Sequence, residues 1–456
     1  MDYILLTRIQ FALTACFHIV FPALLIGLSA WLLYLNIRCI RPGTYKNIPN
    51  SVHFGRIYDY WVRWFFLVFC MAVFSGVLLS LQLDTSAGGL YREAGNVLGG
   101  IRKAELFVGL IFEGGFIGPM VFGRQKLSPR AHFISTSIVT LGIYLGVCLI
   151  LIRNSWMQTP SGYIFQNNVM MLDNLYEVIF NPSFLFRLLH MVLAGWISTA
   201  CFIAGVSAFR LKKLNEAEAS GNIRLCVKVI LVTSVLQLVS GDLHGLNIKK
   251  YQPAKLAAIE AVWHTGKQVP FTLFAIPDAT TERNNFAIEV PYLASVLLTH
   301  SPEGQIQGLS DFPVQHRPPV LPVFYAFRVM LALGFLILSL GIWGCYSLWK
   351  SSHFSSRFLT CAVYLTPAGL IATISGWCVA EVGRQPWTIY GLLKTSHAVK
   401  NYGSNETLIS LAAFCLISVF LGSVFIYFSR RLLTSSSISL QNMTESCLIC
   451  AKASQA

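Results

Sequence analysis

Nine long apolar stretches, separated by polar segments, dominate the pattern of this chain. They cover approximately 10–37, 61–83, 105–123, 132–153, 183–209, 222–241, 322–348, 357–381 and 406–429. Several exceed the roughly 20 residues that carry a helix across about 30 Å of hydrocarbon. Inside a bilayer every backbone N–H and C=O must be satisfied within the segment itself, so such runs predict helices. The expected fold is all-α, a polytopic membrane protein with nine transmembrane helices. A membrane barrel would instead show segments of about ten residues alternating in polarity. The first run is too long for a secretory signal and lacks a basic leader and an A-x-A site, so it reads as a span.

The runs divide the chain into six spans over 1–241, a connection over 242–321, three spans over 322–429 and a polar tail over 430–456. Helices in a bundle are usually joined by about 2–8 residues. The 242–321 connection is about tenfold longer, and its aromatic content, including "FTLFAIPD", predicts an ordered and functional loop.

Composition agrees with the pattern: 55% of residues are apolar and 12% are charged. That is about half the charged share of a soluble domain. The net charge of +14 would suit nucleic acid in a soluble protein, but among spans it reads as positive-inside topology and no nucleic-acid partner is expected. Arg38, Arg41, Lys46 and Arg56 flank one connection; Arg124, Lys126 and Arg130 mark the next on that side. Arg210, Lys212 and Lys213 mark another, and Arg430 and Arg431 open the tail, whereas 154–182 has neither Lys nor Arg. This places the N-terminus outside, the 242–321 loop outside and the C-terminus in the cytoplasm. Most of the twelve cysteines sit in apolar runs as small hydrophobes. Cys447 and Cys450 form a single CxxC without a second pair or a following histidine, a weak metal signal.

Ionisable groups in oil cost about 2.5–3.5 kcal/mol each at mid-bilayer on insertion scales, so each asks for a reason. His18 lies in the first span and His190 in the fifth. Glu105 and Glu113, eight residues apart in the third, return to nearly the same helix face. Arg328 and Met330 open the seventh span, and Glu381 and Arg384 close the eighth in "GWCVAEVGRQPW". Singly, each has a bland reading: a histidine bonding between helices, a methionine packing, a glutamate facing headgroups. As a set on separate spans they suit haem, since His/Met ligation gives a low-spin, electron-transferring iron. Arginine's fork matches a propionate. Spacing alone is equally compatible with a haem-free proton-coupled membrane transporter. A haem b quinol dehydrogenase would favour bis-histidine pairs.

The strings "RIQFALTACFH", "NSWMQTP", "GDLHG", "KLAAIEA", "FYAFRVM" and "GWCVAEVGRQPW", in that order, resemble subunit I of the cytochrome bd-type quinol oxidases. The resemblance covers nearly the whole chain. It implies a terminal respiratory oxidase, multi-pass in a bacterial cytoplasmic (inner) membrane, oxidising quinol outside and reducing O2 to water. By that resemblance His190 and Met330 are the axial ligands of a low-spin haem b. His18 ligates one of two high-spin haems, and Glu381 is the carboxylate tied to the other. One of these is haem b, the other haem d or a further haem b. Glu105 and Glu113 belong to the proton route, Lys255 and Glu260 to quinol oxidation, and Arg328 and Arg384 stand beside the haems. Gly383 and Pro386 would end the eighth span, with Trp377 or Trp387 against a porphyrin edge. A second membrane subunit is implied, with small single-span ones as further partners. Two departures stand out. The segment after Gln82 reads "LDTSAGG" where relatives carry a Gly-Thr-Asn-Trp string, and the loop has the short form of the cyanide-insensitive subgroup.

Overall fold

A computed structural model describes residues 3–45, 48–85, 88–167, 169–216, 218–351, 353–400 and 403–435. Cys447 and Cys450, and Ser86 and Ala87 of the departing segment, lie outside these residues. Among the described residues nine helices are long and apolar enough to cross a membrane. They are Tyr3–Ile40, Asn50–Leu83, Gly88–Phe122, Pro129–Gln158, Leu175–Lys213, Ala219–Tyr251, Val320–Ser351, Ser356–Val382 and Ser404–Thr434. Eight of the nine apolar runs lie within one of them, and the third, 105–123, passes its helix end at Phe122 by one residue. Most helices extend beyond the run at both ends, because apolarity marks the oil and not the end of the backbone hydrogen-bond ladder. The third begins at Gly88, well before its run opens at 105, and the sixth continues past 241 to Tyr251.

The first span is central and packs against the second, fourth, fifth, eighth and ninth. Small residues let backbones approach, the usual device where no hydrophobic force acts between helices. A Cβ on Gly27 would collide with Thr199 of the fifth span, and one on Gly369 of the eighth would lie 2.5 Å from Ser198 Cα. The fifth to eighth spans form a second group, the seventh contacting both the sixth and the eighth. The third and ninth spans stay open: only 6% of the apolar window of each is buried. Their outer faces are therefore left for lipid or another subunit.

The long connection is ordered. A helix, Pro253–Glu260, starts directly after the sixth span, and a hairpin pairs Phe271–Asp278 with Arg283–Val290. At the hairpin turn the Thr280 hydroxyl and N–H and the Thr281 hydroxyl donate to Asp278, holding its carboxyl down to about 2. The loop is tied to the seventh span by Tyr325, whose hydroxyl donates to Ala275 O at 2.8 Å, and by Arg328.

At the opposite end of the bundle, Arg210 of the fifth span anchors the ninth. Its Nε and Nη2 donate to Glu216 at 2.8 and 2.6 Å, and Nη1 donates to the carbonyls of Leu432, Leu433 and Ser435. Those carbonyls end the ninth helix and have no partner within it. Removing one member of a buried pair costs about 3–5 kcal/mol. Arg210→Met is therefore expected to lower the unfolding midpoint in detergent and to expose the end of the ninth span to protease. An unchanged midpoint and cleavage pattern would deny this anchor.

Candidate functional site: a glycine-flanked cavity among four spans

A cavity of about 670 Å³ opens between the fifth, sixth, seventh and eighth spans and beneath the long loop. His190 enters it from the fifth span and Met330 from the seventh. Glycines keep the space beside both side chains clear. A Cβ on Gly376 would stand 3.1 Å from Met330 Sδ, and one on Gly241 would stand 3.6 Å from His190 Cε1. His190 Nδ1 is buried without a hydrogen-bond partner. Trp377 lines the same cavity, whereas Trp387 packs on His316 with ring centroids 5.2 Å apart.

The sixth span adds a third histidine that the apolar pattern did not single out. Gln237, Gly241, His244 and Ile248 follow one helix face and all line the cavity. The His244 ring centroid is 5.6 Å from that of His190, and its Nε2 is buried without a partner. The apolar run ends at 241, three residues before His244, and the helix carries the same face on to Tyr251.

At the cavity's edge Glu381 closes a polar cluster. Asn154 Nδ2 donates to its Oε1 at 2.8 Å, Gln158 Nε2 to the same oxygen at 3.3 Å, and Arg384 Nη2 to Oε2 at 2.6 Å. A carboxylate has about four acceptor positions, so one remains for a further bond. Arg187, also buried, lines the cavity with Nε unpartnered, and Arg384 keeps Nε and Nη1 unpartnered. Gly383 follows the helix without a left-handed turn, at φ −67°. Its missing side chain makes room instead for Lys255, whose Cγ would be 3.0 Å from a Cβ there.

Lys255 and Glu260 leave their helix in different directions. Five residues apart on a helix, they point about 140° away from each other. Glu260 lines the cavity and accepts from Arg328 Nη2 at 2.8 Å. Burial pushes its carboxyl up, opposed by the Arg328 guanidinium. Lys255 is fully buried on the other face, and burial, then Arg187 and Arg384, pull its ammonium well down, with Glu381 opposing. Arg328 is a clamp: Nε donates to Thr272 O at 2.7 Å and Nη1 to Ile259 O at 3.0 Å, so it ties the loop to the seventh span.

His18, Glu105 and Glu113 lie elsewhere in the bundle. His18 Nδ1 bonds Ser75 Oγ at 2.9 Å, an arrangement that leaves Nε2 for a ligand. Arg153 Nη1 lies 2.7 Å from Glu105 Oε2. A π-helical turn, Gly109–Gly114, follows Glu105 and contains Glu113. Eight residues overshoot two turns of an α-helix at 3.6 per turn. The wider π turn takes up the excess and brings the two carboxylates closer to one face, a feature common at functional sites.

The donor set fits haem. Among the described residues no three His, Cys, Asp or Glu side chains gather as a metal site, so iron here would need a ligand frame of its own. A porphyrin brings four nitrogens and leaves two axial positions, which one histidine and one methionine suit. Its propionates would find donors in the unpartnered atoms of Arg187 and Arg384.

The family model described as cytochrome bd terminal oxidase subunit I matches residues 6–437. The chain belongs to this family. Subunit I of the cytochrome bd ubiquinol oxidase of Bacillus subtilis is 28% identical over 447 residues, covering 94% of this chain and 93% of that protein. Subunit 1 of the Escherichia coli cytochrome bd-II ubiquinol oxidase is 27% identical, covering 87% and 90%. The structure of the bd oxidase from Geobacillus thermodenitrificans superposes with a TM-score of 0.84 at 28% identity, over 94% of this chain and 99% of that one. This bd subunit I is thus part of a terminal respiratory oxidase in a bacterial cytoplasmic membrane, and the transporter reading is set aside. Haem cofactors, a quinol substrate and a second subunit follow at the level of the family.

Proposed function

We propose that this subunit oxidises quinol under the long loop at the outer face, and that O2 is reduced to water within the bundle. The observation that carries the reading is that His190, Met330 and Glu260 open into one cavity flanked by glycines. His190 and Met330 would hold a low-spin haem b; His18 and Glu381 would stand at two high-spin haems, one b-type and one either d-type or b-type. When bound, these groups supply the one-electron steps and the oxygen chemistry.

The protein's part is ligation, distance and proton access. Glu260 Oε2 is held by Arg328 at the cavity wall, and burial raises its affinity for a proton, as suits a base that takes a quinol hydroxyl proton. Glu113 and Glu105 would bring protons from the cytoplasm, with the tail inside and the loop outside. Protons released outside and consumed from inside separate charge without a pump. Arg187 and Arg384 would neutralise propionates, and their buried guanidinium atoms keep water from competing. The open faces of the third and ninth spans would meet lipid, the second subunit and any single-span subunits.

Glu260→Gln keeps the side chain's shape but removes the proton acceptor. General-base catalysis contributes about 10²–10⁴-fold, so quinol:O2 turnover should fall by about that factor while every haem remains bound. Wild-type turnover in this variant would remove Glu260 from the quinol site.

A further inference from the structure

A histidine that ligates iron through one ring nitrogen is oriented by the hydrogen bond its other nitrogen makes. On His190 that second nitrogen is Nδ1, buried and without a partner. With Nε2 given to iron, the proton sits on Nδ1, which can then only donate. Arg187, one turn earlier on the same span, cannot accept it, since a guanidinium only donates. An acceptor is at hand on the sixth span, in "SGDLHG" over 240–245. Gly241 lets the His190 ring lie against that helix, where a Cβ would stand 3.6 Å from His190 Cε1. His244 follows one turn on, its ring set edge-on to His190 with centroids 5.6 Å apart and planes at 62°.

His244 hides a nitrogen of its own: its Nε2 is likewise buried without a partner. Two rings in contact thus each carry one buried, unsatisfied nitrogen, and a neutral imidazole offers one acceptor. Gln237 Oε1 is also buried and unpartnered on this helix face, but it lies seven residues, about 10 Å, down the helix from His244. We propose that His244 is a positioning residue for the low-spin haem, its Nε2 accepting the Nδ1 proton of His190. This rests on the reading above that His190 ligates iron. A bond from the ligand's N–H raises the basicity of the imidazole and so favours ferric over ferrous iron. His244 then sets the plane of the ligand ring and holds down the potential of the haem that first receives the quinol's electrons.

His244→Phe keeps a flat ring and removes the acceptor; His244→Gln returns an acceptor oxygen; Gln237→Leu serves as the control on the same face. All are made in the whole oxidase, purified with its second subunit. The readouts are an optical redox titration of the low-spin haem and the electron paramagnetic resonance of its ferric form. His244→Phe should keep the low-spin haem and shift its reduction equilibrium toward the ferrous form by about tenfold, which is ~59 mV for one electron. Its ferric g-values should move as well. His244→Gln should return both readouts toward wild type, and Gln237→Leu should leave both unchanged. If His244→Phe does not accumulate, His244→Leu carries the same readouts. A His244→Phe oxidase with wild-type potential and g-values would overturn the proposal, as would a shift that His244→Gln does not reverse or that Gln237→Leu reproduces. A His190→Ala oxidase that retains its low-spin band would instead sink the underlying reading of His190.

Discussion

Replacing His190 by alanine is expected to abolish the low-spin haem spectrum and reduce quinol:O2 turnover to background. The imidazole is one of only two soft or nitrogenous donors assigned to that iron, and no other group on the fifth span enters the cavity with a nitrogen lone pair. Loss of one axial ligand converts a six-coordinate, low-spin iron to a five-coordinate one or releases it. The variant's fold should persist, since the fifth span keeps its contacts with the first and sixth. High-spin bands should therefore remain. Met330→Leu, close in volume, should change the low-spin spectrum with less effect on stability. An intact low-spin band in purified His190→Ala would reject the ligand assignment.

Glu381→Ala should be the more damaging change to the molecule as a whole. It removes the acceptor of Arg384 Nη2, whose Nε and Nη1 already lack partners, and orphans the Asn154 amide. Arg384 is 5% exposed, so water replaces little. Breaking such a buried pair costs about 3–5 kcal/mol, enough to lower accumulation and the unfolding midpoint. One high-spin haem should be lost with it. Glu381→Gln keeps the shape and an acceptor oxygen for Arg384, so it should fold while its high-spin bands still shift. A Glu381→Gln oxidase with unchanged spectrum and turnover would separate this carboxylate from the iron.

The spans were legible because long apolar runs have one solution in a bilayer. Their ends were less so, because a helix continues into water wherever its own hydrogen bonds allow. The sixth span's last turns carried the cost of that limit: His244 and Ile248 lie on its cavity face beyond residue 241. His190, Met330 and Glu381 stood out as polar or soft groups in oil, and they converge on or beside one cavity. Lys255 and Glu260 were assigned together to quinol oxidation by the resemblance of "KLAAIEA"; helix geometry turns Glu260 to the cavity and Lys255 toward Gln158. Arg328 read as a neighbour of haem; its donors go to two loop carbonyls and Glu260, contacts made by residues 56 to 69 positions away. The π turn that carries Glu113 leaves no mark in composition, since it depends on one shifted ladder of backbone bonds.

The most direct measurement is a reduced-minus-oxidised spectrum, with haem extraction, of the oxidase purified from haem-replete cells. A low-spin b-type signal together with high-spin tetrapyrrole is the expected result. A folded, colourless preparation yielding no extractable tetrapyrrole would contradict the account.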